Sequence, residues 1–316
     1  MELLSQLAEI FTSPGFYAAA IRLTTPLLLT AMGALLCERA GVLTIATEGW
    51  MLSGAMTGVV VSYYSGNPWI GALAAMLAAL VAAFIFAVFV IDIGTDQIVT
   101  GVALNLGALG ATSLIFRQIF GPMSRTPTIT GLPTWPLPGL SQIPLLGEVL
   151  FDQSPLVYVA FLLIPITHFI MFQTTWGLQI RAVGESPRVG DTVGVNIFRV
   201  RYLTILYAGL LAGLSGAFLS LGQTTIFQEG MTAGRGYIAY TAIVFGKWTP
   251  LGTSIGAMIF GLADAFQLRV QALGIGLPYQ FALMIPYILT IVAIVVAVGR
   301  TAWPAAYSLT YRRSGR

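Results

Sequence analysis

The sequence predicts an all-α protein: a polytopic transmembrane helix bundle of about 8–10 spans, with broken or half helices near the midplane. Three observations carry this expectation. Of 316 residues, 57% are hydrophobic and 9% charged, whereas soluble domains carry about a quarter charged residues; the mean hydropathy is +0.85. Eight apolar runs approach the roughly 20 residues that cross a bilayer: 16–38, 42–65, 69–91, 97–120, 155–172, 202–222, 251–268 and 278–298. A ninth run, 237–246, covers only about half the hydrocarbon core at ~1.5 Å per residue. Backbone that stops at mid-depth must be buried in protein or line a wet cavity, and Gly230, Gly234, Gly236 and Gly246 fit such a break. No charged or Pro/Ser-rich hinge interrupts the chain, so residues 1–316 read as one membrane domain.

Taken in order, residues 1–14 are acidic and lack the basic n-region of a cleaved signal peptide. Leu3, Leu4, Leu7 and Ile10 suit a short helix lying in the membrane interface. The single cysteine, Cys37, excludes a disulfide framework and a cysteine metal cluster, and is expected to pack. Asp92 and Asp96 bracket a Gly-Thr turn and suit a cap for the helix from Gln97. The loop 121–154 is rich in proline and glycine, which suggests an extended, fairly rigid external cap. It reads as a plain connector or as a dock for an external partner. His168 lies within an apolar run and reads as a packing contact or a proton relay. Ala208, Gly209, Ala212, Gly213 and Gly216 form a small-residue stripe that lets backbones approach closely.

If nine segments alternate with the C-terminus inside, the inner face holds Arg39, Arg181, Arg188, Arg199, Arg201, Lys247, Arg300, Arg312, Arg313 and Arg316. The outer side or its helix ends take Arg22, Arg117, Arg125, Arg235 and Arg269, and the inner excess satisfies the positive-inside rule. On this count 173–201 is a cytoplasmic loop and 300–316 a basic cytoplasmic tail. Within the loop, Ser186 can N-cap a short helix whose first position is Pro187. Gly194 can close it in the left-handed conformation. Val189 and Val193 share one face, while Arg188, Asp191 and Thr192 point elsewhere. A short helix with one apolar side suits a helix-in-groove contact.

Polar residues inside spans are expensive and mark candidate pathways. Glu48, Gln97, Asn105, Gln223 and Glu229 are singled out here. Glu48 lies in a helix expected to break at Gly49 and reads either as a hydrogen-bond partner for broken backbone or as part of a substrate path. Phe227, Tyr237 and Tyr240 could offer aromatic faces to a base or sugar ring. Asp264 is expected to pair with Arg269. No G-x-x-x-x-G-K-[ST] phosphate loop and no His-x-x-x-His pair occurs, so the chain is read as neither an ATPase nor an enzyme, with no catalytic or metal site.

The run R-A-V-G-E-S-P-R with D-T-V-G-V following, at 181–195, resembles the coupling-helix segment of ABC-importer permeases for branched-chain amino acids, simple sugars and nucleosides. E-R-A-G-V-L-T-I-A-T-E-G-W-M-L-S-G-A at 38–55, T-D-Q-I-V-T-G-V-A-L-N-L-G-A-L-G at 95–110 and M-T-A-G-R-G-Y-I-A-Y-T-A-I-V-F-G-K-W-T-P-L-G at 231–252 are similar to the same family in the same order, most closely to its shorter nucleoside/simple-sugar permease. The sequence departs from that pattern at Thr44 and Ala46, where the family usually has Asn and Gly. The resemblance implies a multi-pass subunit of the bacterial plasma membrane, one of two homologous permeases. It would work with cytoplasmic ATPase subunits, which use ATP and Mg, and with an external substrate-binding lipoprotein; nucleic acid has no part. It also implies that Arg181, Gly184, Ser186, Pro187, Arg188, Asp191 and Gly194 couple the chain to the ATPase. An ion-coupled secondary transporter is the competing class; it predicts intramembrane carboxylates at the substrate site and repeat symmetry.

Overall fold

The computed structural model describes residues 11–121, 129–136, 138–143, 147–272 and 303–311, with five isolated positions between 284 and 295. Helix α1 is Pro14–Arg39, started by a proline whose missing N–H costs nothing there. Residues 40–46 are irregular, and α2 runs from Thr47 to Ser65. The break therefore precedes Thr47 and does not fall at Gly49, which lies in the first turn of α2. The reason is upstream: the chain leaves α1 through Gly41 at φ 81, a conformation that favours glycine. Helix α3 is Pro68–Ala87, extended by a wider π turn over Val88–Ile93. Asp96 caps α4 (Gln97–Phe120), its Oδ1 accepting from the N–H groups of Ile98 and Val99 at 2.9 Å each. Asp92 instead accepts from the Tyr202 hydroxyl.

The following loop folds down onto the bundle. Leu132 N–H donates to Leu221 O at 2.8 Å and Ile129 N–H to Thr225 O at 3.2 Å, while Trp135–Pro136 pairs antiparallel with Asp152–Gln153. Helix α5 is Pro155–Gln173, with the exposed His168 ring tilted against Phe172, centres 5.0 Å apart. Two short helices follow, α6 (Thr175–Glu185) and α7 (Pro187–Thr192). Then come α8 (Ile197–Ala217, continued as a π turn to Gln223), α9 (Arg235–Phe245) and α10 (Pro250–Ala272).

Six of these helices, α1, α3, α4, α5, α8 and α10, are long and apolar enough to cross a membrane. Helix α2 has 19 residues and α9 has 11, so α9 is the half-length element expected at 237–246. The expected span 278–298 and residues 1–10 lie outside the described residues, apart from isolated positions. The centre of the bundle is the meeting of α1, α2, α3 and α8, with α10 against α1. Contact there is at backbone distance. A methyl built on Gly216 of α8 would fall 2.0 Å from Met51 O of α2, and one on Gly213 would fall 2.5 Å from Ala75 O of α3. Lipid tails are as apolar as the helices, so close packing of small residues replaces the hydrophobic effect as the force that joins them. Cys37 is wholly buried in this packing.

Pro26 sits inside α1 and removes the bond its N–H would make to the carbonyl of residue 22. Gln223 supplies the missing donor: its Nε2 lies 2.8 Å from Arg22 O.

Candidate functional site

At mid-bundle the two broken segments meet. Glu48, in the first turn of α2, accepts from Gly234 N–H at 2.8 Å through Oε1 and from Gly236 N–H at 2.7 Å through Oε2. Both donors belong to the start of α9, where backbone N–H groups have no helical acceptor and the helix dipole favours an anion. Glu48 also lies at the start of its own helix, so two dipoles act on one carboxylate. Gly236 is required there, because a methyl would fall 2.6 Å from Glu48 N. Asn105 of α4 completes the junction. Its Oδ1 accepts from Gly49 N–H at 2.8 Å, and its Nδ2 donates to Ile45 O and to the Tyr237 hydroxyl, both at 2.8 Å. Gln97 accepts from Leu43 N–H at 2.7 Å. These side chains satisfy backbone groups that the break leaves without helical partners.

Of the residues expected along a path, the structure brings Glu48, Gln97, Asn105 and Tyr237 together here. Tyr237 is 41% exposed, so its ring opens off the junction. The other four lie elsewhere. Phe227 is wholly buried against Phe116, ring centres 4.8 Å apart. Gln223 serves the kink in α1. Glu229 forms a two-bonded ion pair with Arg117 at 2.6 and 2.8 Å, and that guanidinium holds its carboxyl below the usual carboxylate range. Tyr240 lies 3.5 Å from the Tyr307 hydroxyl at the end of the bundle where α1 stops. The expected Asp264–Arg269 pair is not among the ion pairs of the described residues; Arg235 is the cation acting on Asp264. Five residues along a helix turn a side chain about 140° away, off the face of its partner.

At the end of the bundle where α1 stops, α6 and α7 form a bent platform. Ser186 has the extended backbone of a cap (φ -150, ψ 90), Pro187 follows, and Gly194 has φ +85; the Ser186 hydroxyl makes no capping bond. Gly194 N–H donates to Asp191 O and Val195 N–H to Gly190 O, closing the turn. Val189 is 60% and Val193 72% exposed, with Arg188 exposed between bundle and solvent. Arg181 lies over the Phe172 ring, 5.3 Å from its centre. Gly184 faces inward, where a methyl would fall 2.0 Å from Arg39 O. Asp191 accepts from the Tyr311 hydroxyl at 3.0 Å.

Sequence reasoning passed over Glu38. It is fully buried and accepts from Thr44 N–H (2.9 Å), Thr44 Oγ1 (2.7 Å), Trp248 Nε1 (3.2 Å) and the Tyr307 hydroxyl. The available signal was a carboxylate in the last turn of an apolar helix, where the helix dipole disfavours it. Among the described residues, no group of three or more His, Cys, Asp or Glu could hold a metal ion.

A helix bundle with six helices able to cross a membrane and two interrupted segments joined through Glu48 defines a polytopic membrane protein. The chain belongs to the family described as branched-chain amino acid transport system / permease component, whose profile matches residues 16–295. It is 37% identical to the guanosine ABC transporter permease protein NupQ of Bacillus subtilis, over 100% of both chains. It is also 37% identical to the putative glucose ABC transporter permease protein TsgC13 of Haloferax volcanii, over 95% of this chain and 98% of that one. A second Bacillus subtilis guanosine permease protein, NupP, is 26% identical over 80% of this chain and 73% of its own length. No solved structure matches the chain. The protein is thus an integral membrane ABC permease and not an enzyme, and relatives that come in pairs indicate a system with a second permease subunit. The ion-coupled alternative is set aside with this assignment.

Proposed function

We propose that the chain is one of two permease subunits of an ATP-driven importer for a nucleoside or a simple sugar, coupled to separate cytoplasmic ATPase subunits and fed by an external binding lipoprotein. The observation that carries the reading is α7. It exposes Val189 and Val193 on a helix held rigid by Pro187 at one end and a left-handed Gly194 at the other. An apolar helical face exposed among the described residues, rimmed by Arg188, is the form of a peg for a groove. ATP and Mg would act in the ATPase. This chain would supply the peg and, around Tyr237 and Asn105, one wall of the path. An aromatic ring with a fixed hydroxyl suits a neutral base or sugar, since stacking needs no charge.

The test is co-reconstitution of the chain with its second permease, ATPase and binding protein in vesicles, measuring guanosine and glucose uptake. Uptake should require ATP and be indifferent to an imposed proton or sodium gradient. Gradient-driven uptake by the lone chain would overturn the reading. Arg188→Glu or Gly194→Val should weaken ATPase capture in a pull-down while membrane insertion stays normal; the β-branched residue meets about 1–2 kcal/mol of strain at positive φ.

A further inference from the structure

Residues 303–311 pack on the bundle and bond to both the α6–α7 platform and the irregular segment that precedes α2. Ala306 N–H donates to Gly184 O at 2.8 Å, on the coupling platform. Ser308 N–H donates to Gly41 O at 3.0 Å, in the irregular segment that precedes α2. Two extended residues span at most about 7 Å, so these bonds cannot stretch apart independently. Between them, the Tyr307 hydroxyl donates to Glu38, whose carboxylate also holds Thr44 by both N–H and hydroxyl. Thr44 is one of the two positions where this chain leaves the family pattern, and its hydroxyl is used here. Three residues after Thr44 the chain enters α2, whose first turn carries Glu48 and its bonds to α9.

The segment is anchored along its length. Arg201 Nη1 donates to Leu309 O at 3.0 Å, and Tyr311 reaches Asp191 of α7. The Tyr307 ring meets Trp248 edge-on at 5.9 Å. Burial, and then the neighbouring Glu38 carboxylate, push the Tyr307 phenol far above its ordinary value, so it remains a donor. A phenol bonded to a buried carboxylate is a charge-assisted bond in a dry setting, which is stronger and more directional than its surface counterpart.

We infer that residues 303–311 are a splice that carries displacement of the coupling loop to the 40–46 break and so to the Glu48 junction, with Tyr307 as its positioning residue. This rests on the ATP-driven reading above, and the experiment separates the two. The assembled transporter is reconstituted with wild-type chain, with Tyr307→Phe and with Tyr311→Phe, and uptake and ATP hydrolysis are measured on the same vesicles. Tyr307→Phe should assemble normally and hydrolyse ATP at the wild-type rate, while transport per ATP falls about tenfold, the scale of one charge-assisted hydrogen bond. Tyr311→Phe should lower the same ratio by less. Spin labels at the exposed Thr192 and Thr310 should keep one distance in nucleotide-free and ATP-trapped wild type, and shift between those states in Tyr311→Phe, which cuts the tie between the segment and α7. An unchanged transport-to-ATP ratio in assembled Tyr307→Phe, or a label distance that changes in wild type, would overturn the inference alone. Wild-type vesicles without ATP-dependent uptake would overturn the transport reading, and this inference with it.

Discussion

Helices α4 and α8 have the same mean hydropathy, 1.7, and lengths of 24 and 27 residues, yet 78% of the apolar stretch of α8 is buried and only 22% of that of α4. Apolar content therefore does not decide which helix is central. In α8 the burying face is Ala208, Gly209, Ala212, Gly213 and Gly216, at backbone contact with α2 and α3. In α4 the inward face carries Gln97 and Asn105, which bond to broken backbone, and the large apolar residues Val102, Leu106 and Leu109 point outward. One helix is held by shape and the other by polar anchors. In a solvent as apolar as the side chains, those are the two means left for choosing partners.

The contrast can be broken by substitution in the purified chain, read as melting temperature in detergent. Gly216→Ala should have the largest effect. Its methyl would meet Met51 O and Ala55 N, both backbone, and overpacking of that kind costs about 1–3 kcal/mol or more. A shift no larger than at an exposed site would remove shape as the force holding α8. Asn105→Leu should come next, because it strands the N–H of Gly49 and the carbonyl of Ile45, at ~1–3 kcal/mol for a stranded group. If the melting point held, polar anchoring of α4 would be wrong.

Gly107→Ala on α4 should do the opposite. A methyl there meets nothing within 4 Å, and helix propensity favours alanine by up to ~1 kcal/mol. Destabilisation would reveal a neighbour on that face. Glu229→Gln, which cuts the exposed tie at the far end of α4, should shift melting least. The sign of its pH dependence follows from the depressed Glu229 value. The tie contributes above the ordinary carboxylate value of 4.5 and is lost as pH falls through the lower folded value. A contribution that grew on acidification would contradict the pairing with Arg117.

Features encoded within a few residues were legible in advance. The Asp96 cap, the Pro187–Gly194 turn and the half-length α9 depend on local backbone preferences, and the structure has all three. The small stripe on α8 was legible as close contact, though not which helices it would touch. Gln223 was read as a path residue because a polar group in a span suggests function. Its partner is the carbonyl freed by Pro26, some 200 residues away in sequence, and no local pattern links the two. Phe227 was offered as an aromatic face for the same reason, and tertiary packing closes that face against Phe116. Glu38 was passed over because its four donors come from three separate segments.

By itself, the sequence determined that this is a polytopic helix bundle without a phosphate loop, and that a short helix would start at Pro187 and close at Gly194. Those properties follow from composition and from preferences acting over a turn or less. Only the tertiary structure decided that the two breaks would be joined through Glu48, and that residues 303–311 would bind both the α6–α7 platform and the 40–46 break. Buried polar groups take the partners that the fold brings near. What it brings near is a property of the whole chain.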